Sequence, residues 1–128
     1  MSRIRNRDTS PERKVRSLLH RAGLRFSLRR TDLPGKPDIV LPRFHTVIFV
    51  HGCFWHRHKN CPYAVLPKTR PDFWLQKLTG NADRDSHIER TLKNNGWKVI
   101  IVWACELKSE TTLAERLIEA IESDNRHE

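Results

Sequence analysis

Hydrophobic positions along the chain change period from one segment to the next, and those changes mark out its elements. Val15, Leu18, Leu19 and Ala22 recur at helical intervals. They follow Thr9-Ser-Pro-Glu12, which has capping-box spacing with Thr9 as N-cap, and precede Gly23, so the first helix is predicted over about residues 10–22. Leu24 to Leu28 reads as a first strand, Arg29 to Gly35 as a polar connection, and Pro37-Asp-Ile-Val-Leu41 as a second strand with an aspartate at its start. Pro42 and Arg43 turn the chain into a third strand over residues 45–50. Here Val47-Ile-Phe-Val50 is β-branched and aromatic enough to be buried, and Gly52 permits a sharp turn beyond it. A hairpin sets the start of one strand beside the finish of the next, so Asp38 and His51 are expected to meet. From Pro71 to about Asn95 the pattern is helical, although Phe73, Trp74, Leu78, Ile88 and Leu92 only partly keep register and Gly80 predicts a break near residues 79–82. Trp97-Lys-Val-Ile-Ile-Val-Trp103 is nearly continuous apolar sequence, the pattern of a strand covered on both faces, with Trp97 and Trp103 in the core. Leu113, Leu117, Ile118 and Ile121 describe a closing amphipathic helix before a polar tail. The order α-β-β-β-α-β-α predicts an α/β fold, a central mixed sheet with helices on both faces.

Composition adds a partner class. A chain of 128 residues with no repeat or linker is expected to be a single domain over 1–128. Residues 1–8, where Arg3, Arg5 and Arg7 alternate with polar positions, read as a flexible basic arm. The balance of 24 Lys+Arg against 15 Asp+Glu, formally +9, favours a polyanion. Nucleic acid comes first, because neutralised phosphates release counterions and tryptophan faces can stack on bases. There is no long apolar run and no clearly basic amphipathic helix to support a membrane partner. No hydrophobic leader follows Met1, so a cytoplasmic protein with reduced thiols is expected.

The chemistry concentrates where the third strand ends. Cys53-x4-His58-x2-Cys61 brings two thiols and an imidazole within reach of one tetrahedral zinc, and Cys105, just past the last strand, supplies a fourth ligand. The competing reading leaves Cys105 a small buried hydrophobe and the cluster without a metal. Interleaved are His51, His56 and the pair Phe54-Trp55. On residue type alone Trp55 and Trp74 read as core, and Lys77 and Asn81, one helical turn apart, as surface. Glu12 serves a capping box on that basis, and Asp85 either orients His51 or pairs with Arg84.

Taken together, Pro34-Gly-Lys-Pro-Asp38, His51-Gly-Cys-Phe-Trp-His56, Phe73-Trp74, Asn81 with Arg84-Asp85, and Val102-Trp-Ala-Cys105 resemble the very-short-patch-repair (Vsr) endonuclease family. That family nicks DNA beside T:G mismatches, and its fold is restriction-endonuclease-like. The resemblance spans nearly the whole chain and implies roles position by position. Asp38 and the backbone carbonyl of Val50 would hold catalytic magnesium, and Glu12 would hold water on that ion. His56 would activate the attacking water, with His51 as a second catalytic histidine. Cys53, His58, Cys61 and Cys105 would bind structural zinc. Phe54, Trp55 and Trp74 would wedge into the duplex, Lys77 and Asn81 would reach base edges, and Met1 falls at an intercalating methionine. The implied substrate is double-stranded DNA carrying the T:G product of 5-methylcytosine deamination. The implied setting is a monomer on bacterial nucleoid DNA, served by mismatch-repair proteins and a gap-filling DNA polymerase.

These roles also follow physical needs. Phosphodiester hydrolysis requires an activated water and a cation against developing negative charge. Magnesium takes oxygen ligands, which leaves histidines free as bases. The common pattern of related nucleases would put a carboxylate and a lysine at the positions of Phe49 and His51, and neither is present. One direct carboxylate ligand then implies an ion held weakly until DNA arrives. The alternative function is a non-catalytic, zinc-stabilised nucleic-acid-binding module. Against it stand Asp38 and Glu12, since acidic groups near a phosphate-binding surface repel the ligand unless a metal lies between them.

Overall fold

The computed structural model describes residues 10–28, 32–56, 58 and 61–122. Three helices and four strands follow in the order α1 (Ser10–Arg21), β1 (Ser27–Leu28), β2 (Ile39–Leu41), β3 (Thr46–His51), α2 (Pro71–Asn94), β4 (Lys98–Trp103) and α3 (Glu110–Glu122). The expected α/β order is therefore present. The arm at residues 1–8, the Thr9 cap, Met1 and the polar tail beyond Glu122 lie outside the described residues.

The strands form one mixed sheet in the order β1-β2-β3-β4. Two antiparallel pairings are followed by a parallel one between β3 and β4. A parallel pair needs a crossover, and α2 supplies it. Alternation along the strands then sorts the side chains. Ile39, Leu41, Ile48, Ile100 and Val102 join Val15, Leu19, Leu113, Leu117 and Ile121 in the core between the sheet and the α1/α3 layer. Val40 and Val47 face the other way and pack with Leu92 of α2, flanked by half-buried Phe49, Ile88 and Val99. By the same parity Asp38 and His51 belong to the α2 side.

Three details differ from the sequence reading. The first strand contracts from 24–28 to two residues at the sheet edge, where little apolar surface pins it. The helix over 71–94 runs through Gly80 without the break expected at 79–82. Glycine costs a helix only about 1 kcal/mol, and the fully buried Leu78 and Leu92 on either side hold both halves to the body. Finally, Trp97 is half-buried against the Val40, Val47 and Leu92 cluster, and Trp103 is half-buried outside either core cluster. Trp97 stacks on the exposed His45 with centroids 4.0 Å apart, and Trp103 belongs to the functional end of the sheet.

Candidate active site and metal centre

The register Ile39↔Ile48 brings Asp38 alongside the end of β3, where the Val50 amide donates to Asp38 Oδ2 at 2.7 Å. The carboxylate thus takes over a backbone bond just ahead of β2, which fixes it against the strand that leads into His51. Asp38, Val50, His51, His56, Asp85 and the buried Glu12 of α1 all line one cavity of about 630 Å³. The expected meeting of Asp38 with His51 is realised as a shared cavity, and Glu12 reaches it from a helix on the opposite face.

The two histidine rings lie parallel, 3.8 Å between centroids and 6° between planes. With Asp85 they form a group whose donor atoms lie within 4.8 Å of one another. His51 is buried, and burial first, then the neighbouring His56, lowers its pKa to about 4 against an opposing pull from Asp85. It is neutral near pH 7. Its Nδ1 is buried without a hydrogen-bond partner among the described residues. Among the described residues Asp85 hydrogen-bonds neither His51 nor Arg84, the two partners read from spacing, although its carboxylate lies within 4.8 Å of a His51 ring nitrogen. Its Oδ2 lies 2.5 Å from His56 Nδ1, while Arg84 bonds Asn81. A carboxylate can only accept, so His56 Nδ1 is the donor, and in the neutral ring the free lone pair then lies on Nε2. The i,i+4 spacing of Asn81 and Asp85 held the signal for this contact. Both turn one face of α2 toward the 53–56 loop, where Asn81 Nδ2 donates to the Trp55 carbonyl at 3.2 Å.

The donor atoms of Cys53, His58, Cys61 and Cys105 lie within 4.8 Å of one another, so this group can hold a metal ion. Burial and the adjoining thiols of Cys53 and Cys61 push the Cys105 thiol up to about 12. A thiol so placed releases its proton to solvent readily only when a cation binds the sulfur in its place. Trp103, which the periodicity assigned to the core, stacks face to face on His58 at 4.1 Å and meets His51 edge-on at 5.2 Å. It ties the cysteine cluster to the histidine pair. Glu106 fixes the start of the turn carrying Cys105 by accepting from the Trp103 amide at 2.8 Å, and Arg116 of α3 braces that carboxylate.

Beside the cavity, Phe54, Trp55 and Trp74 form a cluster of edge-on contacts with centroids 5.1–5.9 Å apart. Trp55 is half exposed and Phe73 extends the patch, so these rings are a surface feature and not core. Lys77 is exposed on the same helix, one turn beyond Trp74.

Comparison with known proteins bears directly on this arrangement. Residues 1–62 match the family model described as DNA mismatch endonuclease Vsr. Over 117 residues the chain is 50% identical to a type II nicking enzyme, V.XorIIP, of Xanthomonas oryzae, covering 91% of this chain and 85% of that one. It is 43% identical over 123 residues to the DNA mismatch endonuclease Vsr of Escherichia coli, covering 95% of this chain and 78% of that one. The chain belongs to the Vsr family of DNA mismatch endonucleases. As a Vsr-family member it is an endonuclease of restriction-endonuclease-like fold, which replaces the alternative of a non-catalytic binding module. No described helix is long and apolar enough to cross a membrane.

Proposed function

We propose that the protein hydrolyses one strand of duplex DNA beside a T:G mismatch, the product of 5-methylcytosine deamination, in a magnesium-dependent reaction. The observation that carries this reading is the convergence of Asp38, Glu12, His51 and His56 on one cavity bordered by half-exposed Trp55. The donor set fits a hard cation. Asp38 offers carboxylate oxygen beside the Val50 backbone, the kind of donor magnesium takes. Asp38 and the Val50 carbonyl would hold magnesium, which when bound supplies positive charge against the oxygens of the attacked phosphate.

The remaining steps belong to side chains. His56 Nε2 takes a proton from the attacking water while the Asp85 carboxylate, on the far side of the ring, stabilises the imidazolium that forms. Neutral His51 packs against that ring without adding a competing charge and keeps its buried Nδ1 for a substrate or water oxygen. Glu12 orients water at the cavity wall. The bond from phosphorus to the leaving nucleoside oxygen breaks as the water oxygen bonds to phosphorus, and that leaving oxygen takes a proton from solvent. Phe54, Trp55 and Trp74 would enter the duplex as wedges, since a mispaired step unstacks at lower cost than a paired one. Lys77 and Asn81 would reach base edges beside them.

Zinc is our choice for the cysteine cluster. A tetrahedral site with legs of about 2.0–2.3 Å needs donors about 3.3–3.8 Å apart, and Cys105 Sγ lies 3.5 Å from His58 Nδ1. In this reading the chain is a single domain acting as a monomer in the bacterial cytoplasm, on nucleoid DNA. Mismatch-repair proteins and a gap-filling polymerase would complete the repair.

Incubating a T:G duplex with protein and magnesium should give a single-strand nick that EDTA blocks and that a fully paired duplex does not receive. Equal cutting of the paired duplex would remove mismatch recognition, and cutting in EDTA would remove the cation. Elemental analysis should find about one zinc per chain, lost together with thermal stability in Cys105→Ser. Unchanged zinc in that variant would refute the four-ligand site.

A further inference from the structure

Three residues other than glycine have left-handed backbones among those described: Lys36 at φ 50°, His45 at φ 52° and Arg70 at φ 53°. Such a conformation crowds Cβ and persists where its surroundings or its use demand it. For two of the three the side chain has a visible contact. His45 stacks on Trp97, and the Arg70 guanidinium lies 4.5 Å over the Phe73 ring. Lys36 has no side-chain partner among the described residues, and it borders the cavity that holds Asp38 and the histidines.

The turn that presents Lys36 is fixed on both sides. The Lys36 amide donates to the Leu33 carbonyl at 3.1 Å, and Pro37 follows. Gly35 at φ 75° is pressed against α2, where an added Cβ would sit 2.5 Å from Ile88 Cγ2. The lysine stem therefore starts from a defined place two residues before Asp38.

Charge gives the position its meaning. The cavity is lined by the carboxylates of Glu12, Asp38, Asp85 and Glu89, and Lys36 is the one Lys or Arg among its described lining residues. A phosphate entering there meets net negative charge in a protein that is +9 overall. One divalent cation offsets only part of that field, and the phosphate gains further negative charge as water attacks. The strand positions where related nucleases carry their carboxylate and lysine hold Phe49 and His51 instead.

We propose that Lys36 is a catalytic residue whose ammonium contacts a non-bridging oxygen of the scissile phosphate and stabilises the charge that develops there. Its proton stays on nitrogen throughout, so it adds no proton transfer to the hydrolysis. The proposal rests on the nuclease reading above.

The test is single-turnover nicking of a T:G duplex at saturating protein with magnesium, alongside affinity for the same duplex in calcium without turnover. Lys36→Met should lower the rate about 100-fold and change affinity less than about threefold, whereas Lys36→Arg should recover most of the rate. Lys36→Gly suits the left-handed backbone, so it should raise the melting temperature and still nick as slowly as Lys36→Met. A structural role for the side chain would give the opposite pairing. Wild-type rates in Lys36→Met or Lys36→Gly overturn the proposal, and so does a rate loss matched by an equal loss of affinity. Wild-type protein that fails to nick any mismatched duplex overturns the nuclease reading as well, whereas normal nicking unaffected by position 36 overturns this inference alone.

Discussion

The two faces of the sheet are built to different standards. Toward α1 and α3, twelve buried residues from the helices, the strands and the turn after β4 close into a continuous core. Toward α2, the buried apolar cluster among the described residues is Val40, Val47 and Leu92, with Leu78 and His51 buried outside it, and Phe49, Ile88 and Val99 stay partly open around the cavity. The strands are shared, so the difference lies in what covers them. A helix pair lies over one face, while a single crossover helix covers part of the other and leaves a cavity beside the start of β2 and the end of β3. Apolar burial stabilises the first face, and the second keeps an open cavity lined by carboxylates and imidazoles. Stability and chemistry are therefore separable by substitution in this small protein.

The sharpest break comes from the open face. Asp38→Ala should lower nicking at least about 1,000-fold, about 4 kcal/mol in the barrier, because it removes the carboxylate next to the Val50 amide. His56→Ala should do the same by removing the proposed base. Both variants should melt within a few degrees of the parent and keep their zinc. Collapse of the fold on Asp38→Ala would mean that the cavity side also carries stability.

The matched experiment on packing is a pair of truncations. Leu117→Ala empties a fully buried site on the closed face and should cost about 3 kcal/mol by urea unfolding. Ile101→Ala removes a half-buried side chain from the cavity wall and should cost about 1 kcal/mol, since less area leaves water there on folding. Equal losses would erase the distinction between the faces.

Much of this division is legible in the sequence. Alternation in Val47-Ile-Phe-Val50 places successive residues on opposite faces, and a hairpin between Pro37 and His51 is enough to aim Asp38 at the histidines. The metal-ligand spacing of residues 53–61 survives folding because it is local, and Cys105 joins it as the next strand end in a parallel sheet. What the sequence hides depends on how α2 docks. Gly80 suggests a break locally, yet packing of Leu78 and Leu92 overrides it. Trp103 looks like core because its strand is apolar, but strand parity turns it into the gap between His58 and His51. The place of Lys36 beside the cavity appears only once Gly35 is seen against Ile88.

Asp85 gives the finest test of the contrast, because sequence offers it two partners and the fold gives it a third. It lies 29 residues from His56, so the register of α2 alone decides the meeting. Asp85→Asn keeps an acceptor for the His56 Nδ1 proton but removes the charge that balances an imidazolium. Nicking should fall about tenfold, about 1.4 kcal/mol, with little change in melting temperature or zinc content. Arg84→Ala, which loses only the exposed contact to Asn81, should leave the chemical rate close to that of the parent. If Asp85→Asn nicks at the parent rate, the carboxylate merely anchors α2 to the 53–56 loop, and the open face holds one fewer chemical group than its geometry implies. If both variants slow equally, the helix acts through its position and not through the charge at residue 85.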